Sequence, residues 1–386
     1  MMSPFPAPHD VNPSTLSLMT WLMAQVLKLP PDARSSLKVD SLPLVGFTDV
    51  RRAAHGNQDR VAVAYSIGQD VATSWFLAVV CDGVGGSLHG ERAAALAVAA
   101  IAIEIADSSK MNAAEMLREA FQTAHFRTSA AFQSKSSTTA VALLVAGNTA
   151  AIGWVGDSRA YQISGGKASL LTTDDTFAGA MARADSSFKF DLNEEYAERL
   201  SQAIGGENSV TPNVIDWPSS AADASCLLCT DGIWKPTEPA FDTMVDACRD
   251  GPELMRRLLL LSDWMGGTDN ASAILIPPLG TVRKFICDSS NATPNGAMVI
   301  CLPGPMQTLI PVSDFKSTPR SIQLMRQSPR ADQSEEMAND LKKLPNKRKA
   351  GGPSKGRSKQ GASVKNQLVI EEEPLDDTSP HPTGKI

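Results

Sequence analysis

Long apolar runs, histidines and paired cysteines are all scarce in this chain, and each shortage removes a class of protein. No stretch of 18 apolar residues occurs among its 386, so a membrane-spanning helix is not expected. The opening residues, MMSPFPAPHD, carry neither the basic start nor the compact apolar core of a secretory leader. Six cysteines at scattered spacings do not make a disulfide framework. Together these features predict a cytoplasmic protein with reduced thiols. Five histidines leave little for a zinc site. The glycine-rich GVGGSLHG at 83–90 lacks the GxGxxG spacing of a dinucleotide loop, and no GK[ST] marks a P-loop.

What remains is a water-soluble globular composition, 42% hydrophobic with a mean hydropathy of −0.12, and a net charge of −6 that is unevenly spread. Between Lys342 and Lys365 stand nine Lys/Arg and no acid, followed by Glu371, Glu372, Glu373, Asp376 and Asp377. From about 316 onward the Pro, Ser, Lys and Gly content offers nothing to bury, so residues 316–386 read as a disordered tail. Its basic run has no interleaved aromatic for base stacking. Nucleic acid is therefore not the expected partner; a solvated tail or an acidic partner suits it better.

Residues 1–40 read as an N-terminal extension: a Pro-rich start, then a helix over Ser14–Leu29 that Pro30 and Pro31 stop. Its apolar residues cover too much of the circumference for a free surface helix, so it should dock on the body or a partner. Residues 41–280 read as the main domain. Strands are predicted at Arg60–Ser66, Trp75–Cys81, Ala140–Val145, Ala150–Val155, Tyr161–Ile163, Ser169–Leu171, Ser225–Thr230 and Ala271–Ile276. Helices are predicted at Glu91–Ala106, Ala113–Phe132 and Pro252–Trp264. Strands around Val282–Cys287 and Met298–Leu302 would make 281–315 a small C-terminal extension. Strands, then two long helices, then hairpins fit an α+β fold: a central sandwich of two antiparallel sheets flanked by helices.

Five aspartates share one local design. Asp82 ends the apolar run LAVVC and precedes Gly83; Asp231 ends SCLLCT and precedes Gly232. Asp269 opens ASAILI, Asp59 opens RVAVAYS, and Asp157 follows a strand and a glycine. One Asp-Gly pair is ordinarily just a turn. Five carboxylates at strand ends point instead to cations that keep them from repelling one another. Hard oxygen ligands with few histidines favour Mg²⁺ or Mn²⁺.

In this order and spacing, NQDR (57–60), CDGVGG (81–86), STTAV (137–141), VGDSRAY (155–161), LLTTDD (170–175), QAIGG (202–206), CTDGIW (229–234) and TDNAS (268–272) resemble the metal-dependent Ser/Thr protein phosphatases, the type 2C or PPM family, in their bacterial-like branch. The likeness covers about 46–278. It implies an α-β-β-α sandwich with two Mn²⁺ or Mg²⁺ ions at one end. Asp82 would bridge them and the Gly83 carbonyl would join the shell. Asp231 and Asp269 would complete one ion, Asp59 would serve the other, and Asp157 a third. Asp82, Asp231 and Asp59 would then carry catalysis: a metal-bridging water attacks phosphorus without a phospho-enzyme, which suits a chain lacking a Cys-x₅-Arg loop. Gly85 and Gly86 would keep the approach open. The implied partner is a phosphoprotein written by a cognate Ser/Thr kinase, and the enzyme is expected as a monomer.

The sequence departs from that family in four places. Ala54 stands where an arginine usually grips the phosphate; Arg52 is the replacement favoured here, with Arg51 and His55 the other candidates. Gln58 takes one position of an acidic pair, Val84 that of a histidine proposed as general acid, and Asp175 that of another histidine. Ala54 and Gln58 motivate the alternative reading, a catalytically weak relative serving as a phosphoprotein-binding or scaffold module. Cys226 and Cys229 form a CxxC inside a strand, where period two sends them to opposite faces; core packing is expected of them, as of Cys81.

Overall fold

The computed structural model describes residues 15–28, 34–53, 56–68, 71–84, 89–109, 112–184, 194–218, 221, 223–288, 293, 297–304 and 306–311. The expected loose start at 1–13, Ala54, His55, Gly85, Gly86 and the tail at 316–386 lie outside these.

Two antiparallel sheets form the centre. One has six strands, in the order β1 (Ser35–Val39), β2 (Leu42–Asp49), β11 (Ala271–Ile276), β10 (Ser225–Cys229), β7 (Arg159–Ser164), β8 (Lys167–Leu170). The other has seven, in the order β13 (Met306–Ile310), β12 (Met298–Leu302), β3 (Arg60–Ser66), β4 (Trp75–Cys81), β5 (Ala140–Ala146), β6 (Thr149–Val155), β9 (Asn213–Asp216). Period-two alternation assigns their faces. In β3, Val61, Val63 and Tyr65 enter the core between the sheets, while Ala62 and Ala64 face outward to helices.

That outward face is covered by α1 (Thr15–Val26), α2 (Gly90–Asp107) and α3 (Ala113–Phe132). Small residues set the spacing: alanines of β3 meet the alanine-rich α2, and a Cβ at Gly153 would fall 2.5 Å from the Phe121 ring of α3. Helix α2 is therefore buried nearly all round, with 13 of its 18 residues inside, as a helix apolar on every side must be. Helix α1 docks on the same layer through Leu18, Leu22 and Val26. Asn112 caps α3 by accepting the Glu115 N–H at 3.0 Å.

The six-stranded sheet is covered by α6 (Asp231–Thr237), α7 (Phe241–Ala247) and α8 (Gly251–Trp264), whose Ile233, Phe241, Leu254 and Leu258 pack on Phe47, Leu227 and Leu275. Two short helices, α4 (Phe177–Ala184) and α5 (Glu194–Ala197), precede β9. Cys226 lies in the core between the sheets and Cys229 in the outer layer. The strand alternation thus separates the CxxC pair as expected.

One predicted element is corrected. Val282–Cys287 is not a strand but the body of helix α9 (Leu279–Cys287). Leu279, Val282, Phe285 and Ile286 are its buried residues, the i, i+3, i+4 spacing of a helix face rather than alternation. Helix α9 closes the edge of the inter-sheet core, with Phe285 edge-on to Tyr65 at 5.1 Å between ring centroids. The sheets also run past 41–280 at both ends: β1 begins at Ser35, and β12 pairs with β3 through Val299–Tyr65, Ile300–Ala64 and Cys301–Val63.

Candidate metal centre

Strand register gathers the aspartates at one end of the sandwich. Arg60 pairs with Cys81, so their chain neighbours Asp59 and Asp82 leave β3 and β4 side by side. Cys229 pairs with both Ala273 and Arg159. Asp231 beyond β10, Asp269 before β11 and Asp157 before β7 therefore share one end of the six-stranded sheet. Gly156 carries the chain from one sheet to the other with φ +103°, a conformation that favours glycine. A Cβ there would meet Thr139 at 2.7 Å.

The backbone around each carboxylate is clamped. The Asp82 carbonyl accepts from the Thr138 hydroxyl at 2.7 Å and the Thr139 N–H at 2.8 Å, and its own N–H donates to Thr139 Oγ1 at 3.1 Å. STTAV is therefore the brace that fixes Asp82. Gly83 abuts the start of α2, where a Cβ would fall 2.5 Å from the Gly90 carbonyl carbon. Gly232 must likewise lack a side chain, since a Cβ would sit 1.8 Å from the Asn270 carbonyl oxygen. The Asn270 side chain donates to the Val50 and Gly56 carbonyls at 3.0 and 3.2 Å and accepts the Gln58 N–H at 2.8 Å. It thereby ties the TDN and NQD loops together. Arg60 donates to the Asn57 and Asp59 carbonyls at 2.8 and 2.6 Å.

Electrostatically the five carboxylates form one cluster. Burial pushes the Asp82 carboxyl well above the usual range, with Asp59, Asp231, Asp157 and Asp269 adding repulsion. Burial also pushes Asp59 up to about 7, against hydrogen bonds from Ser272 and Thr230, with repulsion from Asp269 and Asp231. Asp157 rises to about 7 by burial and by Asp231, and Asp269 rises from the same two causes. Neighbouring acids raised together are unfavourable as anions until a cation joins them.

Among the described residues no three His, Cys, Asp or Glu side chains stand close enough to ligate a common ion. The fit to divalent ions rests instead on the donor set and on unmet oxygens. Oδ1 of Asp59 and Oδ1 of Asp231 are both buried without a hydrogen-bond partner. Buried carboxylate oxygens are otherwise almost always paired, and hard oxygen donors of this kind suit Mg²⁺ or Mn²⁺.

The remaining expected residues are placed as follows. Arg52 is exposed. Arg51, with φ +51°, turns inward: it hydrogen-bonds the Ser262 hydroxyl, lies beneath Gly267, feels the Asp59 charge, and its own charge acts on Asp269. Its Nε and Nη1 are buried without partners. Gln58 packs its amide against Gly90. Asp175 is fully buried and accepts from the Gly156 N–H, Gln202 and Asn213 at 2.8–3.1 Å, making it a structural anchor. Sequence reasoning passed over three groups: Thr230, Ser272 and Thr48, which form a buried chain behind Asp59. Thr230 and Ser272 lie inside the quoted CTDG and TDNAS motifs, which was the one available signal.

Comparison with known proteins agrees with this architecture. Residues 49–259 match the family described as Protein phosphatase 2C. The Serine/threonine protein phosphatase PstP of Mycobacterium tuberculosis is 27% identical over 206 residues, 52% of this chain and 40% of PstP. The chain thus spans less than half the length of that relative. The Serine/threonine phosphatase stp of Listeria welshimeri is 25% identical over 240 residues, 59% of this chain and 93% of the relative. The solved S. agalactiae serine/threonine phosphatase overlays 64% of this chain and 98% of its own with a TM-score of 0.51 at 21% identity, a likeness of fold. With two antiparallel sheets between helical layers and the family match spanning more than half its length, this chain belongs to the protein phosphatase 2C family.

Proposed function

We propose that the protein hydrolyses phosphoserine and phosphothreonine in proteins at a dinuclear Mn²⁺ or Mg²⁺ centre. The observation that carries this reading is the pair of buried, unpartnered oxygens on Asp59 and Asp231 within a cluster of mutually repelling carboxylates. Asp82, the Gly83 carbonyl, Asp231, Asp269 and Asp59 would hold the ions, with Asp157 beside them. Two bound divalent ions supply an activated water and neutralise charge on the phosphate.

The chain's own residues supply position. Thr138 and Thr139 lock the Asp82 backbone, and Thr230 occupies one Asp59 oxygen and leaves the other free. Val84, whose N–H is taken by the Ser137 carbonyl at 3.0 Å, has no side-chain proton to give to the leaving serine or threonine oxygen. Arg51 and the exposed Arg52 are the arginine candidates for gripping the phosphate.

The names of the PstP and stp relatives support a phosphoprotein substrate, which implies a Ser/Thr kinase as its source. All six cysteines are free and four are buried, which supports a reducing, cytoplasmic setting. Among the described residues no helix is long and apolar enough to cross a membrane. A monomer completes the reading.

The test is release of phosphate from a phosphothreonine peptide by the full chain, with Mn²⁺ and with EDTA. Turnover that needs Mn²⁺ and falls at least a thousandfold in Asp231→Asn is expected. Absent turnover at saturating Mn²⁺, unchanged by that substitution, would favour the phosphoprotein-binding module instead.

A further inference from the structure

We infer that Lys235 is a built-in cation on the Asp157 side of the cluster, and that it keeps a further divalent ion from settling between Asp157 and Asp231. This inference rests on the metal-centre reading above and limits how many ions that centre takes.

The placement follows from helix geometry. Asp231 opens α6, and a residue four positions on lies over it. Lys235 Nζ stands 3.2 Å from Asp231 Oδ2, on the oxygen opposite the unpartnered Oδ1. A second carboxylate, Glu198, reaches the same ammonium at 3.4 Å. Trp234 fixes the other side: its indole N–H donates to the Asp157 carbonyl at 3.0 Å, and its ring faces Lys235 Nζ at 5.6 Å. Arg159 stacks on that ring at 3.3 Å and is itself held by both oxygens of Asp174, at 3.0 and 2.9 Å. Trp234 thus ties helix α6, which carries Lys235, to the Asp157 backbone.

The charge argument points the same way. Asp231 and Glu198 hold the Lys235 ammonium at 3.2 and 3.4 Å, with the Asp157 charge acting on it as well. A divalent ion between Asp157 and Asp231 would have to displace this ammonium from Asp231 Oδ2 or bind beside a like charge. The Lys235 side chain is only 37% exposed, and the Asp231 side chain 17%, so solvent screens the pair incompletely.

The test counts bound Mn²⁺ by electron paramagnetic resonance of the free ion and by titration calorimetry, on full chain stripped with EDTA. Lys235→Met is expected to bind one Mn²⁺ more than wild type, or to bind its weakest ion at least tenfold more tightly. Lys235→Arg should match wild type, and Asp157→Asn added to Lys235→Met should remove the gain. Lys235→Gln repeats the measurement should Lys235→Met fail to fold. Equal counts and affinities in wild type and the neutral variants would overturn the inference, as would a gain indifferent to Asp157→Asn. The wild-type count judges the metal-centre reading separately: no bound Mn²⁺ there removes that reading, while the difference between variants still judges Lys235.

Discussion

The Thr230 hydroxyl donates to Asp59 Oδ2 at 3.0 Å, while Thr230 Oγ1 itself accepts the Ser272 backbone N–H at 3.0 Å. Thr230 directly follows β10 and Ser272 lies in β11 of the six-stranded sheet, whereas Asp59 directly precedes β3 of the seven-stranded one. This single hydroxyl therefore fixes the two sheets to each other where the carboxylates meet. Thr230→Val keeps the shape and removes both bonds. It should weaken Mn²⁺ binding about 10- to 100-fold, the usual scale for a residue that orients a ligand. Turnover should be lost at limiting Mn²⁺ and largely recovered at saturation, read from activity against Mn²⁺ concentration.

Arg51 and Arg52 are neighbours with opposite surroundings. The Arg51 guanidinium lies under Gly267, two residues before Asp269, while Arg52 is exposed. Arg51→Met should loosen the Asp269 loop and weaken Mn²⁺ binding as well as turnover. Arg52→Ala should leave Mn²⁺ binding intact, and a rise in KM for phosphopeptide confined to that variant would assign it the phosphate. Calorimetry with Mn²⁺ alongside steady-state kinetics separates the two.

The raised acids predict an unusual pH response. Asp59 goes from an ordinary 3.8 to about 7 by burial, so between those values the unfolded chain has released a proton that the folded chain retains. Stability without metal must then fall as pH rises through that window, by up to about 1.4 kcal/mol per pH unit for each such group. Thermal melts in EDTA should show Tm dropping from pH 5 to pH 7.5. Mn²⁺ should raise Tm most at the upper end, where proton release no longer opposes binding. A Tm in EDTA that climbs across this range contradicts the assignment.

The strands that carry the site were legible because each ends in a sharp punctuation: LAVVC into Asp82-Gly83, SCLLCT into Asp231-Gly232. Alternation in β3 likewise announced its two faces. Helix α9 was misread because Val282, Phe285 and Ile286 form a short apolar group in which period separates helix from strand poorly. The supports of Asp59 could not be read at all. Thr230 is 171 residues away in sequence and Ser272 lies on a further strand, so only the sheet pairing brings them together. Lys235 was hidden differently: four residues after an acid on a helix, a lysine looks like an ordinary surface pair.

Each layer of the sandwich also holds a buried thiol. Cys81 lies between the seven-stranded sheet and its helices, Cys226 between the sheets, and Cys229 beneath the helices of the six-stranded sheet. Cys301 shares the layer between the sheets with Cys226, so the protein carries an internal clock for each of these three layers. The moment at which each sulfur becomes reactive records when its own layer parts, so the order in which the sandwich comes undone is written in chemistry the chain already possesses.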